Sequence, residues 1–325
     1  MTAASARAYP NIALVKYWGK RDETLMLPAA GSLSLTLDAF ATTTTVEPAT
    51  DLEHDSFTLN GAAQSGDSLG RVTRFLELVR GLAGSDEHAK VVSTNEAPTG
   101  AGLASSASGF AALAVAAAAA YGLELDRAAL SRLARRGSGS AARSLVSGIS
   151  VWHAGDSDET SFAEPVEAPE MSMVIVTVDA KQKAVSSRAA MRATALTSPY
   201  YPAWVESTEQ SLEAMLEACA DRDFSRIGRI TETHALRMHA VIQACDPPIR
   251  YLSPVSVAIF DAVAALRDAG VEAYATADAG PNVAVISQPA NAQTVADALA
   301  RYGAVRVVGA GEGARLIAAA PEGTA

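Results

Sequence analysis

The sequence predicts an α+β fold in two lobes. Three features of the 325-residue chain lead there. Up to residue 94 it reads as short strands around one helix. Two consecutive helices then span residues 105–137. From residue 172 the order becomes strand, helices, strand, strand, helix, strand, the pattern of helices laid against one face of a mostly antiparallel sheet. The lobe boundary is expected within residues 165–180, giving lobes of 1–178 and 179–325. Nearly half the residues, 49%, are hydrophobic, enough for a large core. No stretch is rich enough in Gly, Pro and Ser to separate the lobes, and there are no internal repeats.

The elements follow in order. S-L-S-L-T-L-D (32–38) alternates strictly, as a half-buried strand does. Thr42 to Val46 is a β-branched partner. Ser56 to Leu59 is a strand that turns at Asn60-Gly61, a hairpin signal. Arg71 to Leu82 carries Val72, Phe75, Leu76 and Val79 at helical spacing and closes on Gly84. Val91 to Thr94 is a further strand. Ser105 to Tyr121 is an Ala-rich helix, apolar all round and therefore buried, with Gly122 as its stop. Asp126 is an N-cap for a helix that ends at Gly137. Met173 to Val178 is a continuous apolar run, the mark of an interior strand. Helices follow at 203–220, 224–244 and 255–268, the second broken by Pro247-Pro248 and the third ended by Gly270. Strands at 271–277 and 283–287, a helix at 293–302 and a strand at 304–308 complete the pattern.

Acidic residues exceed basic ones by 10, which argues against nucleic acid or an anionic membrane as partner. The same balance is compatible with a small anionic substrate held by a few clustered cations. The two cysteines, Cys219 and Cys245, form no disulfide framework or zinc spacing. The five histidines are scattered, and His234 and His239 miss the i, i+4 spacing of a helical zinc pair, so they read as core or surface residues. The N-terminus lacks a signal-peptide apolar run, and the longest apolar stretch falls far short of the roughly 20 residues of a membrane span. These features lead to the expectation of a cytoplasmic protein with reduced thiols.

The most informative segment is P-T-G-A-G-L-A-S-S-A-S-G (98–109). Gly100 and Gly102 let backbone approach a ligand closely. The helix beginning near Ser105 presents unpaired N–H groups and a positive dipole end, a ready anion site. Ser105 and Ser106 add hydroxyls able to reach a phosphate or its magnesium. No Lys follows as in a Walker loop, and the spacing is not a dinucleotide fingerprint. On residue types alone, the string fits equally a glycine turn ahead of a buried helix.

The string resembles the phosphate-binding motif of the GHMP small-molecule kinase superfamily. Y-P-N-I-A-L-V-K-Y-W-G-K-R-D (9–22) resembles the superfamily's first motif and D-A-G-P-N-V-A-V-I (278–286) its third. K-Y-W-G-K-R, G-S-G-S-A-A-R (137–143), V-S-S (185–187) and P-P-I-R-Y-L-S (247–253) narrow the resemblance to the diphosphomevalonate decarboxylase family, across nearly the whole chain. The resemblance implies two α+β lobes, the second ferredoxin-like, with the active site in the cleft between them. It implies ATP and Mg2+, mevalonate diphosphate as substrate, and a homodimer. It assigns Asp278 as catalytic aspartate, Arg143 as the grip on the substrate carboxylate, and Lys16, Tyr17, Lys20 and Arg21 as a basic strand end for the diphosphate. Ser138, Ser140 and Ser186 become substrate contacts. Pro98, Gly100, Gly102, Leu103, Ser105 and Ser106 become the ATP cradle, with Ser106 nearest the metal. Trp18 is expected to pack rather than touch ligand. A pathway kinase or a decarboxylase of the monophosphate remains an alternative within the superfamily. A non-catalytic sensor is disfavoured by the joint presence of Asp278, Arg143, Lys16 and the loop.

Overall fold

The computed structural model describes residues 1–96, 105–179 and 185–318. In chain order the first half holds β1 (Ala4–Ala8), β2 (Asn11–Val15), β3 (Lys20–Asp22), β4 (Leu27–Pro28), β5 (Ser32–Thr36), β6 (Thr42–Ala49), β7 (Ser56–Leu59) and β8 (Ala62–Ala63). Then come α1 (Gly66–Ala83), β9 (His88–Asn95), α2 (Ser105–Ala120), α3 (Arg127–Gly137), a 3-10 turn (Gly139–Leu145), β10 (Ile149–Trp152) and β11 (Ala163–Pro165). The second half holds β12 (Ser172–Thr177), α4 (Ser187–Thr197), α5 (Tyr201–Ala220), α6 (Phe224–Gln243), α7 (Pro254–Asp268), β13 (Ala273–Thr276), β14 (Val283–Ser287), α8 (Ala292–Leu299), β15 (Ala304–Val308) and β16 (Arg315–Ile317).

A six-stranded sheet runs β16-β1-β6-β9-β7-β8, antiparallel except where β7 meets β9. The hairpin between β7 and β8 turns on Asn60 and Gly61, both at positive φ, as the Asn-Gly signal requires. Helix α2 lies against β1 and β6, and all of its alanines except Ala119 are buried. Small side chains allow that close approach, so the apolar composition of α2 has no solvent face. Asp126 caps α3 by accepting from the Ala129 N–H at 2.7 Å, a contact worth about 1 kcal/mol.

A second sheet, β11-β10-β5-β2, is wholly antiparallel. Here the alternation of residues 32–36 has a different meaning from the one expected. The strand is buried on both faces. Leu33 and Leu35 enter the core, while Ser32 and Ser34 point to a buried arginine that hydrogen-bonds them. Polar residues were needed on that face for a charged partner rather than for water.

The third sheet runs β13-β14-β12-β15, all antiparallel. With α7 and α8 on one face it has the strand order of a βαββαβ ferredoxin-like unit. The expectation of helices on one face alone does not hold. Val174, Val176, Ala273, Ala275 and Val285 pack with α7 and α8. Met173, Ile175, Tyr274 and Ile286 pack on the other face with α5, α6 and the leucines of β2 and β5. A side chain at Gly228 of α6 would run into the Tyr274 ring, so glycine permits this second layer. The two-lobed α+β architecture is therefore joined through a shared core. β12 pairs with β14 and β15 of the third sheet, and β16 returns to pair with β1. Among the described residues, no helix is long and apolar enough to cross a membrane.

Candidate active site

The chain leaves the second sheet after Val15, just past a register shift in its pairing with β5. Lys16 to Gly19 then lead into β3, which pairs with β4, and the Lys16 side chain reaches Asp278 in the turn after β13 of the third sheet. The first turn of α2, the 3-10 turn and the start of α4 converge on the same place. Together they enclose a cavity of about 480 Å³.

Lys16 and Asp278 form the centre. The ammonium of Lys16, 1% exposed, lies 2.7 Å from Asp278 Oδ1. Burial holds the Lys16 pKa below the usual lysine value, opposed by Asp278 and reinforced by the nearby Arg143. Arg143 is 2% exposed, and burial pushes it down to about 10. Its Nε donates to Ser34 Oγ at 2.9 Å and to Asn11 Oδ1 at 3.2 Å, and Nη1 donates to Ser32 Oγ. Asn11 is itself fixed, donating to the Ser140 carbonyl and to Ser144 Oγ. The guanidinium lies over the Trp152 ring, 5.8 Å from its centroid. Among the described residues Nη2 has no hydrogen-bond partner, leaving one arm of the fork for a carboxylate.

A cationic wall continues from this centre. Tyr17, Lys20, Arg71 and Arg188 line the cavity, and Asp278 is the lone carboxylate on its surface among the described residues. Among the described residues the Tyr17 hydroxyl has no hydrogen-bond partner, and burial raises its pKa. Gly139 makes room for it, since a Cβ there would lie 2.7 Å from the hydroxyl. Burial lowers the Lys20 pKa, with Arg188 and Arg71 adding to the effect. Arg71 is pushed down to about 10 by burial and by Arg188 and Arg74. Ser138, Ser140, Ser186 and Ser106 line the same space. Ser138 donates to Ser106 Oγ at 3.4 Å, which ties the 3-10 turn to the start of α2. Ser186 also caps α4, accepting from the Ala189 N–H at 3.2 Å.

Of the residues singled out in the sequence, Lys16, Tyr17, Lys20, Ser106, Ser138, Ser140, Arg143, Ser186 and Asp278 meet in one cavity. Arg21 does not: it is exposed and donates to the Gly155 carbonyl, outside the lining. Pro98, Gly100, Gly102 and Leu103 lie outside the described residues, as does the Ser105 side chain. Trp18 packs edge-on to Tyr251 as expected, yet it also lines the cavity, and its indole N–H has no hydrogen-bond partner among the described residues. Sequence reasoning missed Asn11, Ser32, Ser34, Arg71 and Arg188. Asn11 stood inside the first motif and Arg188 directly after the V-S-S string. Arg71 lies on an amphipathic helix where a charged residue reads as solvent-facing, so nothing in the pattern marked it.

Comparison with known proteins identifies the family. Residues 8–163 match the model of the diphosphomevalonate decarboxylase-like N-terminal domain, and residues 173–309 match the mevalonate 5-diphosphate decarboxylase C-terminal domain. The diphosphomevalonate decarboxylase of Candida albicans is 38% identical over 93% of this chain and 89% of its own. The human enzyme of that name is 36% identical over 88% of this chain and 77% of its own. The structure of mevalonate diphosphate decarboxylase from Staphylococcus aureus superposes with a TM-score of 0.94 at 40% identity, covering 97% of this chain and 98% of that one. The Enterococcus faecalis enzyme superposes with a TM-score of 0.92 at 44% identity, covering 97% and 99%. A structure described as MDDEF in complex with MVAPP, AMPPCP and magnesium superposes at 0.93 with 44% identity, covering 97% and 99%. With both domain models matched in order along its length, the chain belongs to the diphosphomevalonate decarboxylase family.

Proposed function

We propose that the protein decarboxylates mevalonate 5-diphosphate at the expense of ATP, giving isopentenyl diphosphate, CO2, ADP and phosphate. The observation that carries this reading is the buried Arg143 guanidinium beside the Lys16–Asp278 pair, in a cavity whose other charged side chains are cationic. A kinase that stops after phosphoryl transfer has no need of a buried fork for a carboxylate. The wall of Lys20, Arg71 and Arg188 supports a diphosphate over a monophosphate, because clustered cations gain more from the more highly charged group.

The residues divide the work. Lys16 engages Asp278 Oδ1, and Oδ2 bears no hydrogen bond among the described residues. That oxygen is placed to orient the tertiary hydroxyl of the substrate or take its proton as the γ-phosphoryl group transfers. Arg143 holds the carboxylate so that its carbon–carbon bond aligns with the departing phosphate. That bond then breaks, its electrons form the alkene, and CO2 and phosphate leave. Ser106, at the start of α2 on the cavity wall, would face the nucleotide phosphates. Among the described residues no three His, Cys, Asp or Glu side chains cluster as a protein-built metal site, and the cavity offers hydroxyls and one carboxylate. Such hard oxygens suit Mg2+ held chiefly by phosphates. Ser106 and Asp278 would hold it, and bound with ATP it supplies charge neutralisation at the phosphoryl oxygens. The family resemblance further supports a homodimer with lobes of 1–178 and 179–325, and the absence of a signal-peptide apolar run near the start supports a cytoplasmic location.

The test is direct. Purified protein with ATP, Mg2+ and either mevalonate diphosphate or its monophosphate is followed for ADP and CO2. Both products with the diphosphate are expected. ADP without CO2 would replace the decarboxylase by a kinase, and greater turnover of the monophosphate would reassign the substrate.

A further inference from the structure

Two buried histidines on α6 stand beside the ion pair without lining the cavity. His234 is 1% exposed and His239 is 2% exposed. The chemistry above uses neither.

Lys16 lies one residue beyond the end of β2, so its buried N–H has no ladder partner and must find another acceptor. It donates to His234 Nδ1 at 3.0 Å. Nδ1 therefore carries no proton, and the neutral ring bears its proton on Nε2. Nε2 donates to Thr208 Oγ1 at 3.2 Å. The Thr208 hydroxyl donates to the Trp204 carbonyl at 2.7 Å, and the Trp204 indole N–H donates to the Trp18 carbonyl at 3.0 Å. The four hydrogen bonds run in one direction, from the amide of Lys16 to the carbonyl of Trp18. They bracket Tyr17 and tie the crossing segment to α5 and α6. The Trp204 and His234 rings pack at 4.6 Å, which fixes the tilt of the imidazole. On the other side of the ion pair, His239 Nε2 donates to the carbonyl of Ala277 at 3.4 Å, one residue before Asp278.

We infer that His234 is a positioning residue: its unprotonated Nδ1 fixes the Lys16 backbone so that the ammonium meets Asp278, while His239 steadies the Ala277–Asp278 segment from the same helix. The inference rests on the roles proposed for Lys16 and Asp278. A small displacement of an acting group is costly in catalysis, about a hundredfold for roughly 1 Å.

The test compares His234→Asn, whose Oδ1 stands where Nδ1 did, with His234→Leu, which fills the space and removes the acceptor. The Leu variant is expected to lose about 10- to 100-fold in kcat, with KM for ATP changed less than about threefold. The Asn variant is expected to recover at least about fivefold of that loss at a comparable thermal midpoint. Equal kcat in the two variants at matched stability would overturn the inference. A second measurement needs no turnover and no variant. Long-range 15N spectra of the histidine-labelled wild-type protein should show His234 as the neutral Nε2–H tautomer at pH about 6. An Nδ1–H tautomer or an imidazolium there would also overturn it. A wild-type protein without CO2 release from any substrate would defeat the decarboxylase reading instead, and the spectra would still judge His234.

Discussion

Acidification should weaken this fold through the two histidines of α6, and the size of the effect follows from their burial. His234 is lowered to about 3 and His239 to about 4, against 6.5 for a free imidazole. Burial is the larger cause in both, and the Lys16 ammonium adds to it. Arg237 acts in the same sense on His234, while Asp278 and the Ala277 carbonyl oppose the shift at His239. Between the folded and unfolded values the unfolded chain binds the extra proton, so stability falls as pH falls. The stabilisation is complete above about pH 6.5 and is lost progressively towards about pH 3 to 4. Going from pH about 7.5 to about 5 costs roughly 2 kcal/mol for each ring, about 4 kcal/mol together. That is a large share of a typical folding free energy. Urea unfolding followed by fluorescence of the three tryptophans measures it at both pH values. His234→Asn removes one titrating ring and should lose only about half as much stability over the same interval. Parallel losses in wild type and variant would refute the reasoning.

Other outcomes follow from the site. Asp278→Asn should bind both substrates yet turn over at least about a hundredfold slower, and near-normal kcat would remove Asp278 from its role. Arg143→Lys keeps a charge but loses the planar fork held by Asn11, Ser32 and Ser34. CO2 release should fall about 10²- to 10³-fold, read as kcat from bicarbonate formation. Because burial lowers the Lys16 pKa from 10.5, the alkaline decline of kcat/KM should begin below the ordinary lysine range. A decline starting only above that range would count against a catalytic Lys16. Arg188→Ala should raise KM for mevalonate diphosphate about tenfold and flatten its salt dependence, with kcat less affected.

Much of this was legible in local sequence because it depends on local physics. The Asn60-Gly61 hairpin, the Asp126 cap, the Gly84 and Gly122 stops and the interior strand at 172–177 all arise from backbone preference or apolar period. Element order separated a sheet-rich first lobe from a second of helices against a mostly antiparallel sheet, which the family resemblance identified as ferredoxin-like. Motif strings at 9–22, 98–109, 137–143, 185–187 and 278–286 marked nine side chains that meet in the cavity. Short terminal strands such as β1 and β16 escaped notice because their apolar patterns are brief and their pairing is long-range.

What the chain by itself determined, then, is the set of elements, the phosphate-loop string and the identity of the charged groups. Tertiary structure alone decided which polar residues serve those groups. Ser32 and Ser34 alternate like the solvent face of a strand, yet they hold Arg143 because a buried guanidinium must be hydrogen-bonded. Arg71 looks like the wet side of an amphipathic helix, yet it enters the cationic wall because α1 packs beside α3, whose last residue, Gly137, accepts from Arg71 through its carbonyl. His234, which carries no spacing signal, joins the hydrogen-bond chain from Lys16 to Trp18, and His239 bonds the Ala277 carbonyl beside Asp278. Burial turns each of these choices into a requirement, and burial is a property of the packed lobes, set by neighbours that lie far away in sequence.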